Sequence, residues 1–209
     1  MAKQSKIHSA LASPAVRTRR AYFDCQFGQL HVRTAFPTTG GFDEGVTLFC
    51  LHPSETSSRT FDMFLPEIAG DRSVYAPDLP GCGESDPAPG RTYAEAASAV
   101  ADLAADLRLH HIDVLGFRFG AAVALELAAA RPELVRRLVV IGTPPIERLP
   151  VIQQERLVLR IRLGAADDSQ WIRGILPKAK FIELDEYADD LFESAPQTLS
   201  KQIGAFLKA

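Results

Sequence analysis

The sequence predicts an α/β fold in which a mostly parallel, twisted β-sheet carries helices on both faces. From residue 21 onward, short runs of apolar and β-branched residues alternate with longer amphipathic segments. The short runs have the length of strands and are apolar throughout, which is typical of strands covered on both sides. Capping signals and prolines bound the longer segments, which are therefore predicted to be helices.

The predicted sheet opens with an antiparallel hairpin, in which Gly28 separates Tyr22–Gln26 from Gln29–Ala35. Six further strands are expected after the hairpin. They are Val46–Leu51, Val74–Ala76, Ile112–Leu115, Leu138–Ile141, Leu157–Ile161 and Phe181–Leu184.

Three helices are marked by local signals. Thr92 and Glu95 form a Thr-x-x-Glu capping box before Ala96–Leu107, whose Ala and Leu residues give one apolar stripe. An alanine-rich helix over Phe119–Ala130 should end before Pro132, because proline disfavours helix in the residue that precedes it. The chain closes with an amphipathic segment, Pro196–Leu207.

Length and composition favour one domain over residues 21–209. The 209 residues are 46% hydrophobic and 23% charged, which is enough to form one sizeable core. The net charge of −3 gives no general attraction for nucleic acid, and no apolar run is long enough to span a membrane. Three cysteines without disulfide or zinc spacing indicate a reduced, cytoplasmic protein, with no metal or cofactor expected.

The first 20 residues are expected to form a disordered, basic arm. They lack acidic residues and the apolar stretch of a secretory signal. A targeting or docking role is the alternative. The basic residues are Lys3, Lys6, Arg17, Arg19 and Arg20.

Three motifs follow predicted strands in a specific order. They are Leu51-His52-Pro53, the loop Asp78-Leu79-Pro80-Gly81-Cys82-Gly83-Glu84-Ser85, and the turn Gly116-Phe117-Arg118-Phe119-Gly120. With this order and spacing, the chain resembles the α/β-hydrolase superfamily over about residues 21–209. The resemblance implies a strained strand-to-helix elbow that presents its central residue at the top of the sheet.

The resemblance also implies a Ser-Asp-His triad, and this sequence departs from it. Arg118 stands where the nucleophile should be, and His111 is the last histidine, so none follows the elbow. Asp189 matches the histidine position, and Asp168, or its neighbour Asp167, matches the triad acid. An acid without its histidine has nothing to orient.

Two further departures concern the pocket. Pro53 follows His52 where the family usually has glycine, which removes one backbone N–H from the oxyanion hole. Only residues 144–156 stand where the family usually inserts a helical cap. A capless protein should expose Phe117 and Phe119, and we expect a second subunit or a partner protein to cover that face.

Arg118 and His52 each have two interpretations. Arg118 at a helix N-terminus could receive a carboxylate or phosphate, with Phe117 and Phe119 beside the ligand, or it could pair internally with Asp189 or Asp168. His52 could be a general base or a structural residue.

The sequence thus predicts a non-hydrolytic pseudoenzyme that binds a small anionic or acyl ligand or a protein partner. The alternative is an enzyme that acts on a small ester or carbonyl compound by noncovalent acid–base chemistry. Arg118 would then stabilise charge, and His52, Asp168 or Asp189 would carry protons. A third interpretation is a structural subunit that pairs through a flat apolar face.

Overall fold

An eight-stranded sheet forms the centre of the computed structural model. The structure describes residues 16, 18–38, 45–142, 157–163, 174, 179–184 and 190–208, with the backbone alone described at 157–163 and 180–184. Residues 1–15 and 17 of the expected basic arm lie outside the described residues, and the expectation of disorder is wrong for Thr18–Arg20, which pair with the next strand. The strands are β1 Thr18–Cys25, β2 Gly28–Ala35, β3 Gly45–Leu51, β4 Arg72–Pro77, β5 Ile112–Phe117, β6 Val135–Ile141, β7 Leu157–Leu163 and β8 Lys180–Leu184.

The strand order is β1-β2-β4-β3-β5-β6-β7-β8. The β1–β2 hairpin and the β2–β4 pair are antiparallel, and all pairs from β4 to β8 are parallel. The predicted sheet is confirmed, with each predicted strand overlapping an observed one. Parallel strands place their carboxyl ends at one edge, so the loops after β3, β4 and β5 meet there.

Helices flank the sheet on both faces. Besides a 3-10 turn at Ser58–Phe61, they are α1 Leu65–Ile68, α2 Tyr93–Asp106, α3 Phe119–Ala130, α4 Leu191–Ser194 and α5 Pro196–Lys208. The capping box of α2 is confirmed: Thr92 Oγ1 accepts the Glu95 N–H at 3.1 Å, and Glu95 Oε2 accepts the Thr92 N–H at 2.9 Å. The predicted α3 and α5 are also confirmed.

Two apolar clusters lie on opposite sides of the sheet. One joins the sheet to α2 and α3, and the other joins it to α1, α4 and α5. Neighbouring residues of β5 divide between them, with Val114 in the first cluster and Leu115 in the second. This alternation follows from the two-residue period of a strand, and it explains why β5 is buried along its whole length.

The turn from β5 into α3 leaves no space for side chains at its two glycines. A Cβ on Gly120 would lie 2.0 Å from the Leu51 carbonyl oxygen, and one on Gly116 would lie 2.4 Å from the Gly120 oxygen. These contacts are with backbone, so no side-chain rotation relieves them. Both glycines are therefore required for α3 to approach β3 and β5 closely.

His52, which follows β3, joins two loops at the carboxyl edge of the sheet. Its Nε2 accepts the Leu79 N–H at 2.9 Å, and its Nδ1 lies 2.7 Å from the Pro53 carbonyl oxygen, to which it donates. The side chain is fully buried. Burial lowers the pKa of His52, although the Pro53 carbonyl and Asp78 oppose the shift. A neutral His52 ring therefore holds the β3 and β4 loops together.

We predict that Gly120→Ala lowers the free energy of unfolding by at least about 2 kcal/mol, because the new methyl group overlaps backbone. Gly204→Ala is the matched control, since Gly204 also lies within a helix and its Cβ would meet Ile68 Cδ1 at 3.7 Å, an ordinary contact. That variant should gain roughly 0.5–1 kcal/mol from helix propensity. Urea denaturation measures both, and equal effects would contradict the account.

We also predict that acid weakens the fold through His52. The folded pKa is lowered, so the neutral ring contributes stability that is complete above the unfolded pKa of about 6.5 and is lost as the pH falls below it. Urea denaturation at a series of pH values from about 7.5 to 5.5 should show this decline. His52→Gln should flatten it, whereas the exposed His110→Gln should not. Identical slopes for the wild type and His52→Gln would refute the assignment.

Candidate functional site

The elbow presents Arg118 in a strained backbone conformation. Arg118 has φ of +49° and ψ of −104°, which a residue with a side chain rarely adopts. Its N–H donates to the Ile141 carbonyl oxygen at 2.9 Å, and its own carbonyl accepts the N–H groups of Ala121 and Ala122. The side chain is exposed, with its guanidinium carbon 5.6 Å from the centre of the Phe117 ring. The elbow thus places a cation at the N-terminus of α3.

A cavity of about 450 Å³ lies in front of Arg118. This volume is within the range of small-molecule sites, and the wall combines aromatic rings, hydroxyl groups and charged groups. The lining residues are Pro53, Ser54, Thr56, Thr60, Phe117, Arg118, Asp190, Phe192 and Glu193.

The loop after β3 and the chain around α4 form the walls of this cavity. Thr56 Oγ1 donates to the Pro53 carbonyl oxygen at 2.8 Å, and Thr60 Oγ1 donates to Thr56 Oγ1 at 3.4 Å. These contacts hold two hydroxyl groups of the lining in place. Asp190 and Glu193 add two carboxylates to the same lining. The cavity is therefore bipolar, with a guanidinium and two acids on its wall.

The expectation that a missing cap exposes both elbow phenylalanines is wrong for Phe117. Its side chain is 1% exposed and packs at an angle against Phe192, with ring centres 5.3 Å apart. Phe192 also packs against Phe61 and Phe64. Phe119 is half-buried beside Tyr93, with a ring-centre separation of 5.0 Å. Phe192 of α4 thus covers Phe117, whereas Phe119 is only partly covered.

His52 does not line the cavity. Both ring nitrogens have partners within the protein, and burial keeps the ring neutral, so neither nitrogen is placed to act on a ligand. The geometry gives His52 the structural role rather than that of a base or ligand-binding residue. Pro53, the next residue, lines the cavity instead.

Asp168 and Asp189 lie outside the described residues, as does the 144–156 connection. Their expected positions, and the expected loss of the cap, therefore stay predictions. Asp190, the neighbour of Asp189, is exposed and lines the cavity.

Sequence reasoning missed several residues of this edge of the sheet. Thr56 and Thr60 lie in a loop that contains no recognisable motif. Glu193 lies on a short helix that has no capping signal in the sequence. The pair His31 and Asp78 was missed as well, with His31 Nδ1 2.9 Å from Asp78 Oδ2. The sequence gives no clear signal for this pair, because the strand that carries His31 also contains Gln29, Arg33 and Thr34.

Within the described residues, no group of three or more His, Cys, Asp or Glu side chains is arranged to hold a metal ion. In the same part of the chain, no helix is long and apolar enough to cross a membrane.

The curated relatives include proteins named as hydrolases, a deacetylase and a probable alcohol acetyltransferase. The chain is 34% identical over 120 residues to a 2-hydroxymuconate semialdehyde hydrolase of Pseudomonas sp. (strain CF600), across 54% of this chain and 40% of that protein. It is 34% identical over 101 residues to a pyrrolizixenacetamide deacetylase of Xenorhabdus hominickii, across 47% of this chain and 38% of the relative. These matches span less than half of the relatives' length.

Solved structures with the same fold include a CIB-like hydrolase from Thermoplasma acidophilum. It superposes with a TM-score of 0.81 over 92% of this chain and 99% of its own, at 14% identity, a level that supports fold alone. The epoxide hydrolase CorEH gives a TM-score of 0.76 over 92% of this chain, at 15% identity. The family model for alpha/beta hydrolases matches residues 48–207. With the elbow, the sheet order and this match over most of its length, the chain belongs to the alpha/beta hydrolase family.

Proposed function

We propose that this alpha/beta hydrolase family member is non-hydrolytic and binds a small ligand with a carboxylate or similar anionic acyl group. The observation that carries the proposal is Arg118, an exposed cation at the elbow, in front of a cavity of about 450 Å³. A guanidinium offers a planar fork of donors that matches a carboxylate, and the first turn of a helix adds N–H groups and a partial positive charge.

The chemistry of the elbow supports noncovalent binding rather than acyl transfer. Arg118 stays protonated and cannot attack a carbonyl carbon. No histidine follows it in the sequence, and Pro53 has no N–H to offer an oxyanion. Among other nucleophiles nearby, the pKa of Cys82 is raised by burial, which disfavours the thiolate. Ser54 lines the cavity, but His52 is occupied elsewhere.

The aromatic, hydroxyl and acidic groups that line the cavity limit the kinds of ligand that can bind in it. The Phe117 and Phe192 rings suit a short apolar chain, and the Thr56 and Thr60 hydroxyls suit polar substituents. Asp190 and Glu193 would repel a second anionic group, so we infer a monoanion rather than a phosphate ester or a dicarboxylate.

The other two interpretations receive less support. An enzyme that uses acid–base chemistry needs a proton carrier, and His52 is buried and fully hydrogen-bonded. Asp168 and Asp189 remain its candidates. A subunit that pairs through a flat apolar face needs exposed apolar side chains, but in the described part of the chain only Tyr22 and Met63 are large exposed hydrophobics. Because Phe117 is buried, its exposure no longer supports a homodimer or a partner protein over this face.

We predict that the purified protein neither hydrolyses short p-nitrophenyl esters nor reacts stoichiometrically with a fluorophosphonate. Arg118→Ser should remain unlabelled, because the new hydroxyl group has no general base, and triad members act as a unit. Intact-mass spectrometry checks both proteins beside a competent serine hydrolase. Stoichiometric labelling of the wild type at any serine would refute the non-hydrolytic assignment.

We further predict that butyrate binds the wild-type protein and that Arg118→Gln weakens the affinity about tenfold or more. A hydrogen bond to a charged group contributes about 1.5–3 kcal/mol, and 1.4 kcal/mol is a tenfold change. Isothermal titration calorimetry measures both.

Arg108→Gln is the matched control for this titration. Arg108 is also exposed with a positive φ, of 56°, but it follows α2 and lines neither this cavity nor its neighbour. This variant should bind butyrate as the wild type does. No saturable binding to the wild type, or equal weakening in both variants, would contradict the proposal.

A further inference from the structure

A second cavity, of about 540 Å³, adjoins the Arg118 cavity. The two share Thr56, Thr60 and Glu193 on their walls. Nothing in the proposed function uses this second cavity. Its lining residues are His31, Glu55, Thr56, Ser57, Arg59, Thr60, Asp78, Gly83, Glu84 and Glu193.

A buried histidine–aspartate pair forms the inner wall. The side chains of His31 and Asp78 are 3% and 2% exposed, and His31 Nδ1 lies 2.9 Å from Asp78 Oδ2. Asp78 also accepts the backbone N–H groups of Ser58 at 2.7 Å and Glu84 at 2.9 Å. These donors hold the pKa of Asp78 below its usual value, although burial opposes them. Asp78 is therefore a carboxylate, which can only accept hydrogen bonds.

The charge state of Asp78 fixes the tautomer of His31. Because the carboxylate accepts, Nδ1 must carry the proton, and in the neutral ring Nε2 is left with a bare lone pair. Nε2 is buried and has no hydrogen-bond partner among the described residues. A buried acceptor without a donor costs about 1–3 kcal/mol. This nitrogen thus points to a ligand that donates a hydrogen bond.

The outer wall of the cavity is held in place by Tyr22. Its ring packs against the His31 ring with centres 5.3 Å apart, and its hydroxyl group donates to Glu84 Oε2 at 2.7 Å. Tyr22 and His31 are directly opposite each other in the β1–β2 pair. The carboxylate of Glu84 is therefore kept on the same side of the hairpin as the histidine.

The charges of the cavity select the kind of donor. Besides Asp78, the lining contains three carboxylates and one cation. The carboxylates are those of Glu55, Glu84 and Glu193, and the cation is Arg59. An excess of carboxylates favours a positively charged donor over a neutral one and disfavours an anion. We propose that this cavity binds a primary ammonium group, whose N–H donates to His31 Nε2 while Glu84 and its neighbouring acids compensate its charge.

The test uses n-butylammonium as the probe and the His31 ring nitrogens as the readout. Long-range ¹H–¹⁵N spectra at about pH 7.5 show directly whether Nε2 of the free protein carries a proton, and the proposal requires that it does not. Butylammonium should shift this signal saturably. Tetramethylammonium, which has the charge but no N–H, and butanol, which has a donor but no charge, should shift it much less at the same concentrations.

Glu84→Gln should weaken butylammonium binding about fivefold, the upper limit for a solvent-exposed charge pair. Asp106→Asn is the control, because Asp106 is an exposed acid at the end of α2 that lines neither cavity. Neither variant alters the buried pair, so both should fold. The probe carries no carboxylate, so this result is independent of butyrate binding at Arg118.

Four results would overturn the proposal. They are a protonated Nε2 in the free protein, the lack of a saturable shift, an equal shift with tetramethylammonium, and equal weakening by Asp106→Asn and Glu84→Gln.

Discussion

The close approach of α3 to the end of β3 is the constraint on which the rest of the site depends. Gly120 lies so near the Leu51 carbonyl group that a methyl group would fall 2.0 Å from its oxygen. The turn between β5 and α3 must then be completed in very few residues, and Arg118 takes a positive φ as a consequence. A residue held in this way projects from the carboxyl edge of the sheet whatever its type. The elbow therefore has its strained geometry with an arginine at its centre, and it presents a guanidinium at the carboxyl edge of the sheet.

Two buried polar residues shape the space around that guanidinium. His52 ties the loop after β3 to Leu79, and Asp78 gathers Ser58, Glu84 and His31 onto one carboxylate. The hydroxyl groups of Thr56 and Thr60 lie on the loop that these contacts fix. The result is a pair of adjoining cavities of different charge, one with Arg118 and one dominated by carboxylates. A ligand with an anionic and a cationic end would match both cavities. The two proposals are nevertheless tested separately.

The sheet and the elbow could be read from the sequence because local signals specify them. Apolar runs and the Thr92–Glu95 capping box each act within a few residues, and the structure confirms them. The glycines at 116 and 120 were singled out by the motif they belong to, although the backbone that Gly120 approaches is in a distant strand. Packing between distant segments was not readable in this way. Phe117 was expected to be exposed, yet it is buried by Phe192, which lies 75 residues further along the chain. The His31–Asp78 pair likewise joins residues 47 positions apart, and no local pattern in the strand around His31 predicts it.

The most direct test of the central claim is to watch the Arg118 guanidinium itself. In ¹H–¹⁵N spectra, the Arg118 Nε–Hε signal can be assigned by its loss in Arg118→Lys, and its position can be followed as butyrate is added. If Arg118 receives the carboxylate, this signal should shift saturably and its exchange with water should slow, together with shifts of the first α3 amides. If butyrate instead perturbs other signals while Arg118 and the α3 amides stay unchanged, the ligand binds elsewhere and the account is contradicted.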